Sequence, residues 1–233
     1  MKINLIFNWE EFYSKRTDDI IPETINLLEK TVELRCIERP LSDKKLKSKL
    51  ANLIISLTLR NPQRIFSLEK QHIDNLNQLL ENLLISENEK NSLYNKFSDN
   101  MFYKELALES INDLKMIRIY EEIILNRKWA ICVNKTNKKF IIGDNPIAIY
   151  NFINKRYGIY NGIARRDTVI TFPITPEYTI IIFPNEYIWG KVYRDKRIII
   201  EKENDLNILN SLQILCAERQ IYTKDKSSLD IFL

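Results

Sequence analysis

Apolar residues recur at helical spacing through the first half of the chain and gather into short runs through the second. Ile21, Ile25, Leu28, Val32 and Cys36 fall about one turn apart, which predicts an amphipathic helix with Asp18 or Asp19 as its cap and Pro22 in its first turn. Leu46, Leu50, Leu53, Ile54 and Leu57 mark a second helix that stops at Arg60-Asn61-Pro62. There Asn61 is placed to cap a third helix and Pro62 to fill its first position, with Ile65, Leu68, Ile73, Leu76, Leu80 and Leu83 carrying the stripe onward. Ser86 and Glu89 have the spacing of a capping box for a shorter helix through Leu93 and Phe97. Phe102, Ala107, Ile111, Leu114, Ile117 and Ile124 then suit one long helix ending near Asn126.

From Arg127 the pattern changes to runs rich in Ile, Val, Phe, Tyr and Thr, bounded by Gly, Pro and Asn. Strands are expected at Trp129 to Val133, Phe140 to Ile142, Ile147 to Tyr150, Thr168 to Phe172, Tyr178 to Phe183, Ile188 to Tyr193 and Arg197 to Glu201. Asn134 to Lys138 reads as a hairpin turn between the first two. Leu206, Leu209, Leu212, Ile214 and Leu215 predict a late helix, and Arg219 to Tyr222 a last strand. The expected fold is therefore α+β: an N-terminal helical bundle, residues 1–126, packed on a mainly antiparallel C-terminal sheet with one late helix, residues 127–233. The two parts are expected to form one cooperative domain, because short strands need helices to cover a face.

Composition narrows the class. With 45% apolar and 28% charged residues over 233 positions, the chain can bury a substantial core, and only 4 glycines and 7 prolines fit long regular elements. A formal charge of +4 tolerates an anionic partner without demanding one. Cys36, Cys132 and Cys216 have no paired spacing, so neither a disulfide framework nor a zinc knuckle is indicated, which points to a reducing compartment. The apolar run at the N-terminus is too short for a signal-peptide core, and no stretch approaches the length of a membrane span; the protein is expected in the cytoplasm.

Gly143-Asp144-Asn145-Pro146 is the most constrained polar corner. Read as structure, Asp144 makes an Asx-type turn and Asn145 is held extended by Pro146. Read as chemistry, Asp144 is a general base or ligand acceptor and Asn145 an anion donor. A buried polar cluster of Glu29, Arg60, Asp144 and Asn210 extends that reading, with Asp144, Asn145, Glu29 and Arg60 as the catalytic set. Glu29 and Glu33 lie one turn apart and so either share a cleft or a solvated face. Arg118, between Ile117 and Ile119, requires a carboxylate if it faces inward. The segment 154–167 interleaves cations and aromatics: Lys155, Arg156, Arg165 and Arg166 could contact phosphates while Tyr157 and Tyr160 stack on bases. Arg219 joins these as a ligand-binding candidate. Against enzymatic readings, Asp195-Lys196-Arg197 only approximates the Asp-x-Lys of a metal nuclease and reads as a solvated hairpin turn. The single histidine, His72, has no helical ribonuclease spacing, and no Gly-rich phosphate loop occurs. No metal set is proposed, and no cofactor is identified.

In order and spacing the landmarks resemble family 4238 of the domains of unknown function, a mainly bacterial group. They are Phe12-Tyr13 ahead of an acidic helix with Glu29, Arg60-Asn-Pro62, Trp129 leading to Gly-Asp-Asn-Pro, Phe172-Pro-Ile-Thr-Pro176, Asn207 to Asn210, and Arg219-Gln-Ile-Tyr222. The resemblance implies a shared fold and no established activity. It also implies a His-Tyr-Val-Pro-like segment before the Phe-Tyr landmark, which this sequence does not contain; any role of that histidine is expected to be missing or borrowed from a partner. The reading carried forward is a cytoplasmic binding or effector module that contacts nucleic acid or nucleotide and is linked to bacterial conflict systems, with a possible protein partner. Its alternative is a phosphodiester hydrolase that uses Asp144, so whether the chain is an enzyme stays open here.

Overall fold

The computed structural model describes residues 20–34, 38–98, 113–153, 155–157 and 162–230, without the side chains of residues 20, 60, 62–69, 71 and 157. Trp9, Phe12, Tyr13, Cys36 and positions 102–112 of the expected long helix lie outside the described residues. The chain forms two compact units, Leu59–Arg118 and the remainder on either side of it.

Within the smaller unit, helix α3 (Pro62–Asn82) is followed by α4 (Glu87–Phe97). The expected capping box is formed: the Ser86 N–H donates to Glu89 Oε2 at 2.9 Å, and Ser86 Oγ accepts from the Glu89 N–H at 3.4 Å.

The larger unit is built on a six-stranded sheet in the order β4-β3-β5-β6-β1-β7. Its strands are β1 (Lys128–Asn134), β3 (Ala148–Asn151), β4 (Arg156–Tyr157), β5 (Thr168–Pro173), β6 (Tyr178–Phe183) and β7 (Arg197–Ile200). Every pairing is antiparallel except β1 with β7. The α+β expectation therefore holds. Both faces of the central strands are apolar because both are covered. Trp129, Ile131, Ile180, Ile182 and Ile170 share one face by register and are fully buried. On that side α2 (Lys44–Arg60) brings the Lys47 ammonium over the Trp129 ring at 5.6 Å. The C-terminus of α1 (Ile20–Glu33) is held there too, since Arg197 donates to the carbonyls of Thr31, Val32 and Leu34. Thr31 and Val32 lie in the last turn of the helix and Leu34 just beyond it, where carbonyls have no partner within the helix. Ala130, Cys132, Ile181, Phe183 and Ile200 point the other way and pack with Leu206 and Leu209 of the late helix α7 (Glu203–Cys216). Helix α5 (Leu114–Leu125) feeds β1, and the buried Trp129 indole N–H closes that junction on the Ile124 carbonyl at 2.9 Å.

Three expectations are corrected. The run Ile188 to Tyr193 is not a strand but the short helix α6 (Ile188–Val192). Strands β6 and β7 lie on opposite sides of β1, so the chain between them must cross over β1 and cannot pair within the sheet. Asn134 to Lys138 does turn, with the Asn134 side chain bridging Thr136 N at 2.9 Å and the Lys138 carbonyl at 2.7 Å, but no hairpin forms. Both edges of β1 are already taken by β6 and β7, so the chain leaves the sheet and β2 (Ile142–Gly143) pairs with β8 (Ile221–Tyr222). Asp195 is not a solvated turn residue. It is buried at φ 60°, donates its N–H to the Trp129 carbonyl at 2.6 Å and pairs with Lys47.

The crossover requires a glycine. A Cβ on Gly190 would lie 2.7 Å from the Phe183 Cβ and 3.1 Å from the Lys128 Cβ, a pair directly opposed across β6 and β1. Gly190→Ala is therefore expected to destabilise the protein by about 1–3 kcal/mol in a denaturant titration; an unchanged midpoint would contradict this close approach.

Candidate functional site

The Gly143-Asp-Asn-Pro146 corner sits against the C-terminal end of α7. A chain that has left its sheet still has peptide groups to satisfy, and here α7 satisfies them with side chains. Asn210 accepts from Ile141 N at 3.2 Å and donates to the Lys139 carbonyl at 3.0 Å. Gln213 accepts from Gly143 N at 3.2 Å and donates to the Pro146 carbonyl at 3.1 Å. In return Asn145 donates to the Cys216 carbonyl at 3.1 Å, one of the open carbonyls at the helix end. Asp144 accepts from the N–H groups of Glu218 and Arg219 at 2.8 and 2.9 Å, while its own N–H donates to the Gln220 carbonyl. Partial burial pushes the Asp144 carboxyl up, but the N–H groups of Glu218, Arg219, Gln220 and Asn145 together outweigh it and leave the group below its ordinary value.

The structure thus brings Asp144, Asn145, Asn210 and the Arg219 backbone into one seam between strand and helix. Glu29 stands elsewhere, on α1. Burial first, then the charges of Glu33, Glu29 and Glu177, push the Tyr178 hydroxyl up. Arg118 is exposed, so it carries no demand for a buried carboxylate. The side chain of Arg60 lies outside the described residues, and Arg60 and Arg118 belong to the smaller unit.

A second arrangement surrounds Arg127, which the strand pattern marked only as the start of the β half. Arg127 is buried at the entrance to β1, 6% exposed. Its Nη1 donates to the Thr168 carbonyl at 3.1 Å; its Nη2 donates to Thr168 Oγ1 at 3.2 Å and to the Arg165 carbonyl. Among the described residues no carboxylate pairs with it directly. Burial lowers its pKa to about 10, with the charge of Asp167 opposing that shift, so it remains a cation at neutral pH. Asp167 is committed elsewhere: Arg165 meets both its oxygens at 3.0 and 2.9 Å, and Asn151 adds a bond at 2.8 Å. The Arg165 fork holds the Asp167 carboxyl well below its usual range, burial opposing and Asn151 adding to the effect.

Arg127 and Arg166 both line a cleft of about 540 Å³ whose other walls include Asn126, Asn185 and Glu186. Of the basic loop predicted from sequence, Arg166 reaches this cleft and Arg165 is neutralised by Asp167. Lys155 and Arg156 are exposed on the same connection between β3 and β5. Tyr160 and the side chain of Tyr157 lie outside the described residues. The one signal for Arg127 in the sequence is an arginine immediately before an uninterrupted buried strand, where a cation needs acceptors.

A family model described as protein of unknown function (DUF4238) matches residues 6–227. The chain belongs to that family. The landmarks of the DUF4238 resemblance now have places: Gly-Asp-Asn-Pro and Arg219 to Tyr222 meet in the α7 seam, and Asn210 is the side chain that reads the intervening backbone. Neither a curated protein nor a solved structure matches the chain.

The seam makes a pH prediction. A carboxyl depressed in the folded state contributes stability above its unfolded value, about 3.9, and loses it as pH falls through the lower folded value. Asp144→Asn puts a donor where one acceptor stood. Discounted for exposure, the expected loss is about 1 kcal/mol at pH 7, shrinking toward zero at pH 2–3 in urea titrations. An equal loss at both pH values would contradict the assignment.

Proposed function

We propose that the chain is a cytoplasmic binding or effector module that holds a phosphate-bearing ligand, nucleic acid or nucleotide, in the Arg127–Arg166 cleft. The observation that carries this reading is a buried guanidinium whose acceptors among the described residues are backbone carbonyls and a hydroxyl, in the wall of a cleft of about 540 Å³ that the exposed Arg166 also lines. Arginine forks suit phosphate oxygens, and a cation already stripped of water attracts an anion more strongly than a solvated one does. The Cys132 thiol is buried and outside any disulfide among the described residues, which fits a reducing compartment. No helix among the described residues is long and apolar enough to cross a membrane.

The hydrolase alternative keeps Asp144 as its candidate base. Both oxygens of that carboxylate already accept backbone N–H groups, so the binding reading is better supported.

Fluorescence anisotropy with a labelled oligonucleotide tests the proposal. Arg166→Ala should weaken binding and lower the slope of log K against log salt by about 0.7 for a single strand. A parallel competition with a nucleoside triphosphate separates nucleotide from polymer. If Arg166→Ala leaves both affinity and slope unchanged, the cleft is not the site.

A further inference from the structure

The chain leaving the cleft wall at Pro184–Glu186 enters α6, and α6 exposes an apolar surface that no part of the core requires. Ile188 is 67% exposed, Trp189 52% and Val192 51%, all within this five-residue helix. Isolated exposed aliphatics are common; an exposed tryptophan with two of them on so short a helix is not. The tryptophan is also held. Its ring stacks on Tyr193 with centroids 6.1 Å apart and planes at 19°, and Tyr193 packs on the buried core of the sheet. Gly190 sets the helix directly on the Lys128–Phe183 pair, which fixes the height of the platform. Lys191 is exposed beside it, and so is Arg194, whose Nε stands 3.6 Å from the Asp195 carboxylate. Trp189 follows Glu186 by three residues, so it lies within about 11 Å of the cleft wall along the chain.

An ordered aromatic face with cations beside it, next to a cleft that takes phosphates, matches the two parts of a single-strand binding surface: stacking for bases and charge for the backbone. Duplex bases are already stacked on each other and offer no face to Trp189. We infer that α6 is a base-stacking platform and that the ligand of the neighbouring cleft is single-stranded nucleic acid, with bases on Trp189 and phosphates at Arg166 and Arg127. This rests on the proposed phosphate site and adds the polymer, its single-stranded form and the residue that reads it.

The test uses the full chain and three variants, Trp189→Ala, Trp189→Phe and Arg166→Ala, titrated with a labelled oligothymidine of about 12 nucleotides and a duplex of equal length. The expected result is preference for the single strand, a loss of at least about fivefold for Trp189→Ala, retention of most affinity by Trp189→Phe, and an unchanged salt slope in both Trp189 variants. Arg166→Ala should change the slope. If the chain binds the single strand and Trp189→Ala binds it equally well, or if the duplex binds as tightly, the platform is overturned while the phosphate site stands. If the wild-type chain binds neither, both are overturned. Trp189-dependent binding to vesicles of anionic phospholipid without binding to the oligonucleotide would assign α6 to a lipid surface and overturn the inference.

Discussion

The larger unit depends on β1 having no free side. Its edges are taken by β6 and β7, and its faces by α2 on one side and α7 on the other. A strand enclosed in this way leaves its neighbours little choice. The chain after β1 must leave the sheet, the chain between β6 and β7 must cross over it, and the residue before it must enter a buried environment with whatever side chain it has. The seam around Asp144, the short helix α6 and the buried Arg127 each answer one of these demands.

The seam and the cleft solve the same problem with opposite outcomes. In the seam, α7 supplies a donor and acceptor for the departing backbone through Asn210 and Gln213, and Asp144 and Asn145 return bonds to the end of the helix and the segment after it. Charge is matched there by oriented N–H groups, so a carboxylate is comfortable. Around Arg127 the acceptors are carbonyls and a hydroxyl, which satisfy hydrogen bonds without cancelling the charge. Asp167, whose charge acts on Arg127, is engaged by Arg165 and Asn151. The result is a cleft with two arginines and the carboxylate Glu186 in its wall, and it lies where three loops from different elements converge, the kind of place where ligands bind on rigid scaffolds.

Much of this was legible from residue pattern. The second and third helices, the Ser86 capping box and the strands at Thr168 and Tyr178 follow from local spacing and propensity, which the fold respects. The misread pieces are those set by tertiary position. Ile188 to Tyr193 has strand composition, yet its helix follows from the need to cross β1. The partners of Asp144 are backbone N–H groups 74 and 75 residues away, which no side-chain motif announces. The environment of Arg127 is hidden from residue pattern for the same reason: its acceptors lie 38 and 41 residues on and are mostly main chain. The basic loop supplies Arg166 to the cleft wall, and which of its arginines is neutralised depends on the geometry of Asp167.

We propose that the two arginines in the wall of the cleft, Arg127 and Arg166, and not the Asp144 corner, mark where a ligand is held. Titrating the isotope-labelled chain with a short single-stranded oligonucleotide and following backbone amide and arginine Nε–H resonances tests it most directly. The account predicts shifts concentrated in residues 123–127, 164–168 and 184–193. Shifts centred instead on residues 139–146 and 216–220 would contradict it.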